Sequence, residues 1–133
     1  MILSDILGIF LSVVWAMTVG FVWYSPSVAG TAWAKLSGLD LKKLNTKPKE
    51  MMSTFMPMIA LNVLTALILQ PFFKVSQDMG MSILLVVLLW LVFTFIPTAT
   101  SNLFSKKPLM LTVINTVYNL ITFIGMSLIL MFV

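Results

Sequence analysis

Four uninterrupted apolar runs constrain this 133-residue chain more than any other feature. They are Ile6 to Tyr24, Met51 to Phe73, Met79 to Leu103 and Leu109 to Val133, and none contains an Asp, Glu, Lys or Arg. A helix rises 1.5 Å per residue, so crossing a hydrocarbon layer of about 30 Å takes roughly 20 apolar residues. Inside such a layer backbone polar groups must be satisfied within the segment itself, which selects helices. With 60% apolar and 9% charged residues and a mean hydropathy of +1.09, water is not the main solvent of this chain. The expected fold is all-α. It is a polytopic membrane protein with a single domain, residues 1–133, built as an up-down bundle of four transmembrane helices with a short interfacial helix in the first loop. The short connections Lys74 to Asp78 and Phe104 to Pro108 predict antiparallel sequential neighbours.

Charge gives the direction of the spans. Eight lysines stand against four acids, with no arginine, for a net charge of +4. Lys35, Lys42, Lys43, Lys47 and Lys49 lie in the first loop and Lys106 and Lys107 in the third, against Lys74 alone on the other side. That bias places loops one and three in the cytoplasm and both termini outside, in a multi-pass arrangement in the plasma (inner) membrane. Lysines confined to loops between apolar runs are a topology signal, and no nucleic-acid partner is expected. Met1 to Asp5 lacks the basic residues that open a cleavable signal, and the apolar run continues past signal length, so the first segment is expected to remain in the mature protein.

Aromatic and turn residues mark the boundaries. Trp23 and Tyr24 fall where the first run meets the lysine side, the depth that amphipathic rings prefer. Ser25-Pro26 then ends the helix, because proline disfavours helical geometry in the residue before it. Beyond it Ala29, Ala32, Trp33 and Leu36 recur at helical spacing with Lys35 opposite. This predicts a short helix within about 27–38, lying along the membrane surface and stopped by Gly38. Leu39 to Lys49 reads as a basic linker suited to anionic lipid, with the five loop-one lysines facing the headgroups.

Polar and small residues inside the spans are the candidate contacts. Gly8, Ser12, Ala16 and Gly20 are spaced four apart and form a ridge along which backbones approach closely. The partner is either another helix of the chain or the first helix of a second copy. The fourth run carries Thr112, Asn115, Thr116, Asn119 and Thr122; the second carries Asn62 and Thr65; the third carries Thr94, Thr98, Thr100, Ser101 and Asn102 around Pro97. Pro97 lacks the donor that the Phe93 carbonyl would use, so a kink with nearby hydroxyls satisfying the backbone is expected. At 1.5 Å per residue, Asn115, Asn119 and Asn62 lie roughly 9, 15 and 16 Å from the lysine end. Asn62, Thr94, Thr98, Asn102, Thr112, Asn115 and Asn119 therefore form either a polar cluster open to the cytoplasm and plugged outward by apolar residues, or helix-tying hydrogen bonds of roughly 0.6 kcal/mol each. Trp15, Trp90 and Tyr118 read as core packing.

Chemistry is narrowly bounded. Without Cys, His or Arg, and without an Asp or Glu inside a span, the chain lacks the usual nucleophiles, acid–base groups and proton relays. An enzyme is not expected, nor any metal or cofactor. The eleven methionines, even Met51, Met52, Met56 and Met58 around Pro57, read as adaptable filler rather than thioether ligands.

The string Val22-Trp23-Tyr24-Ser25-Pro26, followed by Gly30 and Trp33, resembles a signature of a family of small membrane proteins, domain-of-unknown-function family 1761. Further matching features are Asn62, the run Ser101-Asn102-Leu103-Phe104, the pair Pro108-Leu109, and Asn115 followed by Tyr118. The resemblance covers nearly the whole chain and implies the four-span fold; it implies no activity. Where members of that family often carry a histidine after the helix-4 tyrosine, this chain has Asn119.

Two functions fit these bounds. One is an oligomeric carrier or channel for a small solute, lined by the neutral polar residues. The other is an accessory protein engaging membrane lipid or a partner through loop one. Both rest on the same topology, and a reporter active only outside the cytoplasm is expected to work at either terminus and to fail when inserted among Lys42 to Lys47; the reverse pattern overturns the orientation.

Overall fold

The computed structural model describes residues 2–40, 42–43, 47–75 and 78–133, of 74 and 75 the backbone alone. Part of the linker (41 and 44–46) and the centre of the second connection (76–77) thus lie outside the described residues. Among the described residues six α-helices follow in order: α1 (Leu3–Trp23), α2 (Gly30–Ser37), α3 (Pro48–Val75), α4 (Met79–Trp90), α5 (Ile96–Phe104) and α6 (Leu109–Phe132). Among the described residues no strand forms. Four stretches, Leu3–Trp23, Pro48–Phe73, Met79–Phe104 and Leu109–Phe132, are long and apolar enough to cross a membrane.

Local chemistry sets the ends. At α1 the Asp5 carboxylate accepts the Ile2 N–H at 3.0 Å, a negative charge placed where the helix dipole favours it. The Asp78 carboxylate caps α4 through the Met81 N–H at 3.1 Å. Helix α3 begins at Pro48 rather than Met51, because proline's missing donor costs nothing in a first turn. This corrects one feature of the linker: Lys49 stands in the first turn of α3, not in the loop. Gly38 ends α2 in the left-handed conformation, φ 72°. The Leu39 N–H then reaches the Ala34 carbonyl at 2.8 Å, the pattern that closes off a helix's last carbonyls.

Pro97 acts differently from a simple kink. A single π-helical turn, Leu91–Phe95, joins α4 to α5, with the Ile96 N–H reaching back five residues to the Leu91 carbonyl. The wider register absorbs the missing proline donor inside the ladder. Of the nearby hydroxyls, Thr100 bonds to the Ile96 carbonyl at 2.8 Å.

Helix α6 is the centre of the bundle and packs against α1, α3 and α4. The up-down order is visible in paired contacts. Trp15 and Trp23 of α1 reach Ile121 and Ile114 of α6, and Gln70 near the end of α3 reaches Asp5 near the start of α1. Sequential α3 and α4 are antiparallel but are not packed along their length: a groove of about 280 Å³, lined among others by Ile68, Leu69, Val86, Leu89 and Phe123, runs between them beside α6.

Two devices let α6 hold this position. Its hydroxyls turn back on their own helix, Thr116 to the Thr112 carbonyl at 2.6 Å, Thr122 to Tyr118 at 2.9 Å and Ser127 to Phe123 at 2.6 Å, so small polar residues are buried already satisfied. Its carbonyls meanwhile accept three indole N–H groups, from Trp15 (Ile121, 3.3 Å), Trp23 (Ile114, 2.9 Å) and Trp90 (Thr116, 2.7 Å). An indole donor in hydrocarbon must find an acceptor, and a helix carbonyl has a second lone pair to offer. Trp15 and Trp90 are therefore cross-braces as well as core packing.

The small-residue ridge of α1 is used within the chain. Gly8, Ser12 and Ala16 are buried, Gly8 faces Leu130 and Val133, and Gly20 faces Tyr118. The small residue on the other side is Gly125, where a Cβ would overlap the Trp15 indole. Gly125→Ala is expected to push Trp15 off its carbonyl and destabilise by about 1–3 kcal/mol. The same change in a Trp15→Ala background should cost far less, measured by denaturant unfolding in detergent; additive effects would contradict the contact.

Candidate functional site

The site is built from the turn that follows α1. After Trp23 the chain reverses over Ser25-Pro26: the Ala29 N–H reaches the Trp23 carbonyl at 2.9 Å, and the Val28 and Gly30 N–H groups both reach the Ser25 carbonyl, at 3.1 and 2.9 Å. The Ser25 hydroxyl closes on the Val22 carbonyl at 2.7 Å. Gly30 sits so close beneath this turn that a Cβ would run into the Tyr24 and Ser25 carbonyls. These are backbone atoms, the Ser25 carbonyl held by two hydrogen bonds, so the position has room only for glycine. The turn delivers α2 back against α6, burying Ala29, Gly30 and Ala34 while Ala32 is exposed. The buried face of α2 thus passes through Ala34 rather than Ala32, because docking onto α6, not only a flat interface, sets its rotation.

Tyr24 and Trp23 are anchored by this geometry. The Trp23 indole donates to the Ile114 carbonyl, and the Tyr24 hydroxyl donates to the Asn115 side-chain oxygen at 2.7 Å. Tyr24 then meets Trp33 edge-on, with ring centroids 5.4 Å apart and planes at 68°. It meets Tyr118 likewise at 5.2 Å and 65°. Phe21 and Phe55 form a further ring pair at 5.3 Å.

These rings line a cavity of about 530 Å³, within the range of small-molecule sites. Met17, Gly20 and Phe21 of α1, Tyr24, Trp33 of α2, Thr54, Phe55 and Met58 of α3, and Asn115 and Tyr118 of α6 form its wall. No charged side chain is among these lining residues. The polar groups of its lining side chains are one amide, a threonine hydroxyl, two phenols and the Trp33 indole N–H. A groove of similar size between α1 and α3 is almost wholly apolar, lined by Ile6, Phe10, Val14 and Val63 among others, and lacks that mixture of apolar wall and fixed polar anchor.

The polar residues marked in the sequence are divided among several places. Asn115 lines the cavity and is tied to Tyr24. Asn102 donates to the buried Thr112 hydroxyl at 2.7 Å, fastening α5 to α6. Asn62 donates to the Met58 carbonyl at 2.9 Å and lies 3.8 Å from the sulfur of Met17, beside two of the cavity residues. Thr94 lines the groove between α3 and α4. Thr98 and Asn119, both half-buried, have no hydrogen-bond partner among the described residues. Lys35, Lys42, Lys43, Lys47 and Lys49 are all exposed. Met17, Phe21, Thr54 and Phe55 were not distinguished by sequence, since on an apolar helix they look like any lipid-facing residue, and Met58 was read only as filler beside Pro57. Tyr24, Trp33, Asn115 and Tyr118 did carry a signal, because all four belong to the family resemblance.

A family model described as protein of unknown function (DUF1761) matches residues 7–131, nearly the whole chain. The chain belongs to that family. No match was found among curated proteins or among solved structures.

Because Gly30 underlies the turn that carries Tyr24 to Asn115, Gly30→Ala is expected to lower stability by about 1–3 kcal/mol and to shift tryptophan emission as Trp33 leaves Tyr24. Unchanged melting and emission would mean that the turn tolerates a side chain there.

Proposed function

We propose that this member of the DUF1761 family is an integral membrane protein that binds a small solute in the aromatic cavity and acts as its carrier, without catalysing a reaction on it. One observation carries this reading. Tyr24, Trp33, Asn115 and Tyr118, residues of the resemblance drawn from both its ends, converge on a single uncharged cavity. The positive-inside bias puts that cavity at the cytoplasmic end of the bundle. Outward of it, Phe73, Val86 and Leu130 pack as an apolar cluster that would form the closed side of a carrier.

The cavity lies within one chain, and the α1 ridge that would pair two copies is covered by α6. A solute site therefore needs no second copy. The exposure of Lys35, Lys42, Lys43, Lys47 and Lys49 supports the other reading, an accessory protein engaging anionic lipid.

Saturation-transfer NMR on the protein in nanodiscs, with tert-butanol, dimethylacetamide and tetramethylammonium as probes, separates the two. At least one probe is expected to bind, to lose binding when Met58→Trp fills the cavity, and to enter proteoliposomes at a rate reduced by the same substitution. If none binds, while glutamine at Lys42, Lys43, Lys47 and Lys49 abolishes association with anionic lipid, the accessory reading replaces this one.

A further inference from the structure

The cavity's walls are set as a box. Trp33 and Tyr118 stand edge-on to Tyr24 at 68° and 65°, with centroids 5.4 and 5.2 Å from it, so three electron-rich rings line adjoining walls of the cavity. Phe21 and Phe55 add two more rings. The face of an aromatic ring attracts a cation, and the attraction grows when water is kept away. The Tyr24 hydroxyl gives its proton to Asn115, which leaves the phenol oxygen with only lone pairs to present.

Helix polarity acts in the same direction. Gly20 and Phe21 belong to the last turn of α1 and line the cavity, and that turn carries no basic side chain. The negative end of the α1 dipole therefore adjoins the site with no basic side chain to offset it, although the Val22 and Trp23 carbonyls are capped by Ser25 and Ala29. Lysines at this end of the bundle are exposed, and water and salt screen them over about 10 Å.

We propose that the cavity takes an organic ammonium ion of the choline class, its charge sheathed in small alkyl groups. The inference rests on the cavity being a solute site and names the ligand class of that site. A metal ion or primary ammonium would lose strong hydration for rings and a few neutral oxygens, whereas an alkylated ammonium has little hydration to lose and fits an apolar wall. An anion would meet ring faces and a helix C-terminus, both of the wrong sign. The same group arrives either as a free solute or as the headgroup of phosphatidylcholine.

The test compares choline with dimethylbutanol, its uncharged carbon isostere, by calorimetric titration of the full chain in phosphatidylglycerol nanodiscs, with empty nanodiscs subtracted. Choline is expected to bind at least roughly fivefold more tightly than the isostere. Trp33→Leu should remove that preference and Trp33→Phe should keep it. Equal affinity for the two compounds overturns the ammonium assignment and leaves the solute site standing; binding of neither overturns both. Repeating the titration with phosphatidylcholine in the nanodisc distinguishes the sources. Loss of choline binding identifies the lipid headgroup as the ligand, and unchanged binding identifies the free solute; both outcomes support the ammonium assignment.

Discussion

In a hydrocarbon layer no water is present to satisfy a stray donor, and the structure depends on how α6 answers that constraint. Its hydroxyls bond back to its own carbonyls, and further carbonyls receive the indoles of Trp15, Trp23 and Trp90. Each such bond is worth little singly, on the order of 0.6 kcal/mol in comparable bundles. Their value is geometric: three tryptophans from two helices are fixed in register against one central helix. Close approach then follows where side chains are small, at Gly8, Ala16 and Gly20 on α1 and at Gly125 on α6. The bundle is held by backbone proximity and bonded indoles rather than by burial from water, since many of its large apolar residues face outward.

The same bonds shape the cavity. The indole of Trp23 fixes the end of α1 on Ile114, and one residue later the Tyr24 hydroxyl reaches Asn115, one residue along α6. Two consecutive aromatic residues thus engage two consecutive residues of a helix more than ninety positions away. The glycine under the turn lets α2 fold back, and Trp33 closes against Tyr24. The α1, α2 and α6 walls of the cavity are tied to one another by these contacts. Its remaining wall, Thr54, Phe55 and Met58, comes from the lysine-side end of α3, close to a proline at 57.

Much of the fold was legible in the sequence because the rules behind it are local. Span length follows from the rise of a helix and the thickness of hydrocarbon, and Gly38 ends α2 because it accepts a left-handed backbone. The ridge Gly8, Ser12, Ala16, Gly20 was readable as a contact surface from its spacing alone. Its partner was not, because spacing on one helix carries no information about which other helix arrives. The intramembrane amides were readable as groups that need partners. Their depth suggested one cluster, yet Asn102, Asn115 and Asn62 each found a different partner, since direction around the helix axis divides residues that share a depth.

The sequence by itself determined four helices, their boundaries to within a few residues and their alternating direction, because these depend on the chain's affinity for an apolar solvent. Only the tertiary structure decided that α6 stands at the centre, that three tryptophans are hydrogen-bonded braces, and that Tyr24, Trp33, Asn115 and Tyr118 share one cavity. Those outcomes depend on rotation about each helix axis and on which neighbour offers a small residue or a free lone pair. No local pattern contains that information, because it is a property of pairs of helices.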